Sequence, residues 1–180
     1  REEIIFTKSA TESINLVASS FGKKHIHKGD EILITELEHH SNYVPWHYLR
    51  SEKGAIIKFA PVNEDGDVEI NSIKKLITDK TKIIAITHIS NVTGAILPIT
   101  KIVDLAKEKN IPVLIDGTQG APHCDIDMQK IGCDFYAISC HKMYGPNGLG
   151  ILYMKKKWED DLPRYQGGGE MIKEAKKDDI

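Results

Sequence analysis

The sequence has few cysteines and no long apolar run, and we expect no signal peptide. Its three cysteines are Cys124, Cys133 and Cys140. An odd number with these gaps argues against a disulfide framework and does not match the paired spacing of zinc sites, so we predict reduced thiols, no metal and a cytoplasmic location. No stretch approaches the ~20 apolar residues that span a bilayer.

An excess of charge of either sign is also missing. The 24 Lys and Arg nearly balance the 26 Asp and Glu, which gives a formal net charge of −2. Such a chain has no general surplus of positive charge for the phosphate backbone, so we expect neither nucleic acid nor a membrane among its partners. What the sequence does have is 41% hydrophobic residues over 180 positions, enough to bury a substantial core.

Seven short runs of apolar and β-branched residues predict strands, and most of the segments between them predict helices. The predicted strands are 4–7, 31–35, 55–60, 82–87, 112–116, 135–139 and 150–153, and the predicted helices are 12–21, 43–51, 71–76 and 99–109. Long connections make the first six strands mutually parallel, whereas residues 140–149 are too few for a crossover. The pattern predicts an α/β fold with a seven-stranded, mostly parallel sheet, one antiparallel strand and helices on both faces.

The two ends of the chain differ from this alternating pattern. The chain lacks an initiator methionine, and Arg1 leads almost at once into an apolar run. We therefore expect it to start inside a longer protein. Residues 1–153 form the predicted domain, and residues 154–180, which lack a periodic apolar face, are predicted to connect it to a C-terminal small domain that the chain lacks.

Polar residues gather where the predicted parallel strands end, which is the edge at which α/β sheets bind ligands. Each alone has an ordinary explanation as a helix cap, a turn former or a surface charge. Together they offer an anion cradle, a carboxylate, an imidazole and an amine. The candidates are Thr11, His39, Asn91, Asp116, Gln119, Ser139, His141 and Lys142.

This set suits a phosphorylated, ring-containing electrophile, and pyridoxal phosphate (PLP) fits it. Free amides at the helix N-terminus that follows the first strand can bind the phosphate, with Thr11, Ser139 and His141 as additional donors. A carboxylate that keeps the ring nitrogen protonated lets the ring accept electrons, and a lysine amine supplies the imine.

Five stretches of the sequence carry a family resemblance that covers the whole chain. They are DFYAISCHKMYGPNGLGILY (134–153), ELEHHSNYVPW (36–46), THISNVTGAILPI (87–99), IDGTQGAPHCDIDMQKIGCDF (115–135) and QGGGEMI (166–172). The first closely resembles the Schiff-base lysine motif of the class V aminotransferase family, within the fold-type I PLP enzymes. The other four are similar to the SufS-type branch of the cysteine desulfurases.

The resemblance implies a role for each candidate. Lys142 matches the lysine that binds PLP as a Schiff base and shuttles protons, and His39 matches the imidazole stacked on the ring and implicated in proton transfer. Asp116 matches the acid that pairs with the ring nitrogen, and Gln119 the donor to the phenolic oxygen. The remaining matches are Thr11, Ser139 and His141 as phosphate ligands and Asn91 as a substrate contact.

Some positions depart from the family pattern or lie outside the predicted site. Ala10 stands where a second threonine is common, and Cys140 where a glycine is common. The resemblance places both the persulfide-forming cysteine and the arginine that holds the substrate carboxylate beyond residue 180. We therefore interpret Cys124 and Cys133 as buried small hydrophobes and do not assign Cys140 as a nucleophile. His40 and His123 are interpreted as structural.

The activity that the resemblance implies is PLP-dependent removal of sulfur from L-cysteine, which gives L-alanine and an enzyme persulfide for iron-sulfur cluster assembly. The full-length parent would be a homodimer that passes sulfur to an acceptor protein, and this shorter chain would be inactive. The alternatives are another class V PLP enzyme, such as a selenocysteine lyase or an aminotransferase-like relative, and a non-catalytic PLP-binding fold.

Overall fold

A seven-stranded sheet forms the centre of the computed structural model, which describes residues 2–168. Its strands are β1 (Ile4–Thr7), β2 (Glu31–Thr35), β3 (Ile56–Ala60), β4 (Thr81–Thr87), β5 (Val113–Asp116), β6 (Phe135–Ser139) and β7 (Gly150–Met154). Their order across the sheet is β1-β7-β6-β5-β4-β2-β3. β7 runs antiparallel to both of its neighbours, and the other pairs are parallel. The predicted α/β fold with one antiparallel strand is confirmed.

The four predicted helices are present, with shifted ends. The helices are α1 (Ala10–His25), α2 (Val44–Lys53), α3 (Ile70–Leu76), α4 (Ile99–Lys107), α5 (Gly120–His123) and α6 (Met128–Ile131). Short 3-10 helices occupy His40–Asn42, Cys140–Met143 and Lys156–Trp158. The sequence does not predict α5 and α6, because four residues are too few to show a helical period. No helix within residues 2–168 is long and apolar enough to cross a membrane.

Hydrophobic cores lie on both faces of the sheet. In β4, Ile84 and Ile86 belong to the core packed under α3, α4 and α6, whereas Ile83 and Ala85 belong to the core packed under α1 and α2. Successive residues of a strand point to opposite faces, so a central strand such as β4 contributes to both cores. This double burial explains why the central strands are nearly continuous apolar runs.

The start of β7 packs unusually closely against the loop that precedes α1. Gly150 pairs with Thr7 of β1 and with Ser139 of β6. A Cβ atom added to Gly150 would lie 2.5 Å from the backbone carbonyl carbon of Ser9. Only glycine fits there without a shift of the backbone, and this contact brings the N-terminus of α1 next to the end of β6.

The polypeptide after β7 remains in contact with the domain. Trp158 packs with its ring centroid 5.4 Å from that of Phe135, and its indole N–H donates a 3.0 Å hydrogen bond to Asp134. Leu162 packs against the same core. The packed body therefore continues beyond residue 153, the predicted end of the domain. Residues 169–180, which include part of the QGGGEMI stretch, lie outside the described residues.

Candidate active site

A cleft of about 250 Å³ lies at the edge of the sheet where the parallel strands end. The ends of β4, β5 and β6 contribute to its wall, together with the start of α1 and the loop after β2. All eight residues that the sequence predicts line this cleft, namely Thr11, His39, Asn91, Asp116, Gln119, Ser139, His141 and Lys142. The structure thus brings the candidates together, and their individual roles remain predictions.

The N-terminus of α1 offers fewer free amides than the sequence suggests. Ser9 is the N-cap, and its hydroxyl accepts a 3.2 Å hydrogen bond from the Glu12 N–H. The Ala10 N–H donates to the hydroxyl of Ser139 at 2.9 Å, which joins α1 to the end of β6. Within the described part of the chain, only the Thr11 amide of this first turn has no hydrogen-bond partner. The predicted cradle therefore rests on this amide and on side-chain donors.

The loop after β2 holds His39 through a residue that the sequence reasoning missed. Ser41 donates its backbone N–H to His39 Nδ1 at 3.1 Å, and its hydroxyl lies 2.8 Å from the same nitrogen. The hydroxyl also lies 2.9 Å from the hydroxyl of Thr11. A serine two residues after a histidine in a polar loop was the available signal, since side chains that cap a short helix meet an N–H at that spacing.

Asp116 ends β5 as a buried carboxylate, with 5% of its surface exposed. Oδ1 accepts a 3.0 Å hydrogen bond from the Thr118 N–H, so the ordinary explanation of Asp116 as a turn former is correct for that oxygen. Oδ2 has no hydrogen-bond partner among residues 2–168. Asp116 therefore has one oxygen available for a ligand at the cleft.

Glu38 is a second carboxyl group that the sequence reasoning missed. Oε1 accepts hydrogen bonds from the Thr35 hydroxyl at 2.6 Å and from the Thr87 N–H at 2.9 Å. Oε2 accepts one at 2.6 Å from the amide of Asn42. Burial, reinforced by the charge of Asp116, outweighs these donors and raises the pKa of Glu38 to about 8. Glu38 ties the His39 loop to the end of β4.

A buried histidine and tyrosine support the turn that carries Gln119. His88 Nδ1 lies 2.9 Å from the Tyr136 hydroxyl, and burial lowers the pKa of His88 and raises that of Tyr136. The turn packs directly on both rings, since a Cβ at Gly120 would lie 2.2 Å from His88 Nδ1 and one at Gly117 would lie 1.8 Å from Tyr136. The buried rings of His88 and Tyr136 therefore fix the position of this turn beside the cleft.

Lys142 projects from the 3-10 helix Cys140–Met143, which follows β6. Its side chain is exposed at the cleft, and Nζ has neither a hydrogen bond nor an ion pair within the described chain. Tyr144 ends the helix with a left-handed backbone, at φ 61°. The structure thus presents a primary amine to the same cleft as the free oxygen of Asp116.

The whole chain, residues 1–180, matches the family model described as aminotransferase class V. The chain belongs to the class V aminotransferase family. It is 48% identical over 171 residues to a probable cysteine desulfurase of Halalkalibacterium halodurans, which covers 95% of this chain and 42% of that protein. It is 48% identical over 172 residues to a cysteine desulfurase of Yersinia pestis, covering 96% of this chain and 42% of the relative.

Solved structures agree with this family assignment. The fold matches the cysteine desulfurase CsdA of Escherichia coli with a TM-score of 0.95 and 36% identity, over 99% of this chain and 45% of that one. A cysteine desulfurase of Thermococcus onnurineus matches with a TM-score of 0.92 and 33% identity, over 99% of this chain and 44% of the other. The chain spans less than half the length of these class V relatives.

None of the cysteines of this class V chain lines the cleft. Cys133 is fully buried, and burial raises the pKa of its thiol to about 12. Cys140 is also buried, with 7% of its surface exposed. Cys124 is only partly buried, so the prediction of a buried hydrophobe holds for Cys133 and is wrong for Cys124. Residues 2–168 contain no cluster of side chains that could hold a metal ion.

Proposed function

We propose that this chain is the PLP-binding part of a cysteine desulfurase that converts L-cysteine to L-alanine. One observation carries the proposal: a single cleft combines the unpaired amine of Lys142, the free oxygen of Asp116 and the ring of His39. The substrate, L-cysteine, is proposed from the names of the class V relatives.

The groups that line the cleft fit PLP. Asp116 has an oxygen free to accept the N–H of a protonated ring nitrogen. Thr118 lines the same wall, and its buried hydroxyl has no partner among the residues described, as expected of a site built for a ligand. The amide of Thr11 is free to donate to a phosphate. Glu12 has the contrary effect, because its carboxylate disfavours an anion at this turn. That carboxylate accepts a 2.6 Å hydrogen bond from the Lys8 N–H.

PLP, when bound, supplies an electron-accepting ring that stabilises negative charge on the substrate carbon. We propose that Lys142 holds it covalently and that Asp116 keeps its ring nitrogen protonated. Gln119 would donate to the phenolic oxygen. The proposed phosphate ligands are Thr11, Ser139 and His141.

The same residues would then act on the amino acid. Lys142 Nζ, once free, takes and returns the proton of the substrate α-carbon, because it is an amine at the cleft with no hydrogen bond or ion pair among residues 2–168. His39, in the loop after β2, moves a second proton. Asn91 contacts the substrate. The Cβ–S bond of cysteine breaks, its electron pair stays on carbon, which gains a proton, and the sulfur forms a persulfide with a thiolate.

Further parts of the proposal rest on the family resemblance. We propose that the parent protein is a SufS-type enzyme that forms a homodimer, passes sulfur to an acceptor protein for iron-sulfur cluster assembly and works in the cytoplasm. The absence of cysteine from the lining of the cleft supports a persulfide that forms on a cysteine outside these 180 residues.

Reductive trapping tests the proposed cofactor. The chain is incubated with PLP, reduced with borohydride and digested, and we expect one labelled peptide that contains Lys142. Lys142→Ala should abolish the label, whereas Lys101→Ala, a change of an exposed lysine on α4, should leave it intact. A label spread over surface lysines, or none, would refute the proposal.

A further inference from the structure

Ser41 joins two residues that the proposed function assigns to different parts of the cofactor. Its hydroxyl lies 2.9 Å from the hydroxyl of Thr11, a proposed phosphate ligand. The same hydroxyl lies 2.8 Å from Nδ1 of His39, the proposed ring contact. Ser41 also donates its backbone N–H to that nitrogen at 3.1 Å. All three side chains line the cleft.

The backbone bond fixes where the proton of the ring lies. An amide N–H can only donate, so Nδ1 must accept and carries no proton. A neutral imidazole has one N–H, and in His39 that N–H is therefore Nε2. Nε2 has no hydrogen-bond partner among residues 2–168, so its proton is uncommitted.

The donor in each of the two hydroxyl hydrogen bonds follows from this tautomer. Because Nδ1 carries no proton, the hydroxyl of Ser41 donates to it. The oxygen of Ser41 is left to accept, so the hydroxyl of Thr11 donates to Ser41. When an anion draws the proton of Thr11 toward itself, Ser41 still donates to His39, and the tautomer of the ring is unchanged.

We propose that Ser41 is a positioning residue, which uses its N–H and its hydroxyl to hold the His39 ring with its proton on Nε2. The use of that proton rests on the proposed function, because a ring fixed in this form offers a donor to the substrate side of the cleft. The tautomer itself does not depend on the cofactor. It is set by contacts within this chain.

Nitrogen-15 NMR of the histidine-labelled chain without cofactor tests the proposal, at about pH 8.5, where an ordinary imidazole is neutral. In the wild type we expect the two ring nitrogens of His39 to be well separated in chemical shift, with the proton on Nε2. Ser41→Ala removes the hydroxyl and should move the Nδ1 resonance, because its shortest hydrogen bond is lost. Ser41→Thr keeps a hydroxyl and should restore the wild-type shift.

Ser51→Ala is the matched control, since within residues 2–168 the exposed Ser51 hydroxyl bonds only to the His47 carbonyl of its own helix. It should leave the His39 resonances unchanged. A proton on Nδ1 in the wild type, or identical spectra for the wild type and Ser41→Ala, would overturn the proposal. Should Ser41→Ala fail to fold, the wild-type tautomer and Ser41→Thr decide. Labelling of Lys142 reports separately on the proposed function.

Discussion

The backbone N–H of Ala10 donates a 2.9 Å hydrogen bond to the hydroxyl of Ser139, and this one contact joins the first turn of α1 to the end of β6. Both residues line the cleft. The bond holds the two sides of the proposed phosphate site at a fixed separation. It also gives the buried hydroxyl of Ser139 a structural use in addition to any contact with a ligand.

Ser139→Ala should weaken both folding and cofactor binding. Loss of the partner leaves the Ala10 N–H unsatisfied in a buried position, which costs about 1–3 kcal/mol in the free energy of unfolding. Urea unfolding measures this cost, and PLP titration by absorbance measures the affinity. Ser51→Ala, which changes an exposed serine, should alter neither quantity. Wild-type stability in Ser139→Ala would show that the bond contributes nothing.

Asp116→Asn should separate cofactor chemistry from folding. Asparagine keeps an oxygen that can accept the Thr118 N–H, so the turn should survive with an unchanged unfolding midpoint. The amide carries no charge to hold a protonated ring nitrogen, and we expect PLP affinity to fall by about tenfold or more. Parallel titration and thermal unfolding check this. An equal loss in both would make Asp116 a structural residue only.

Glu38→Gln should change how stability depends on pH. The folded-state pKa of Glu38 is raised from 4.5 to about 8, so the folded state holds a proton that the unfolded state has released. Its contribution is therefore present below pH 4.5 and is lost as the pH rises to about 8. Subtracting the variant's stability from that of the wild type across this range should give a falling curve. A flat difference would contradict the raised pKa.

Gly120→Ala should displace the turn that carries Gln119. The added methyl group would lie 2.2 Å from Nδ1 of the buried His88 ring, so either the turn or the ring must move. Overpacking of this kind costs about 1–3 kcal/mol. Gly167→Ala, at a position with nothing within 4 Å, is the control. Urea unfolding compares the two variants, and equal stability would mean that the turn is free to shift.

The 180-residue chain, even with PLP bound, should release no sulfide or alanine from L-cysteine above the rate of free PLP. Sulfur transfer needs a thiolate at the substrate sulfur, and none of the three cysteines lines the cleft. Cys133 is excluded further, because its pKa is raised to about 12. Alanine and sulfide assays check this, with Cys140→Ser and Lys142→Ala. Turnover that requires both residues would make Cys140 catalytic.

The strands could be predicted from the sequence to within about one residue, because each is a short run of apolar and β-branched residues and the central ones are buried on both faces. Their order was not predictable in the same way. Nothing in residues 150–154 shows that β7 lies between β1 and β6, since pairing partners are set by packing across the whole domain. The prediction of strand direction succeeded because it needed only the length of the connection.

The residues of the cleft likewise divide into those that the sequence predicts and those that it does not. The eight predicted residues follow from the rule that ligands bind where parallel strands end, together with the family resemblance. Glu38 and Ser41 were missed because an acid and a serine in a polar loop look solvated in the sequence. Their importance comes from partners on β4 and α1, in Thr87 and Thr11, which no local pattern reveals.

The place of β7 has a consequence for the order in which the domain is completed. Among the strands of the described sheet β1 is made before the other six, yet its neighbour is β7, which is made after them. During synthesis, β1 must therefore wait for β7 while the strands between them in sequence assemble, and closing so long a loop is slow. Ser9 and Ala10 reach their positions beside Gly150 and Ser139 only in that final step. The cleft is therefore among the last parts of the described sheet region to form.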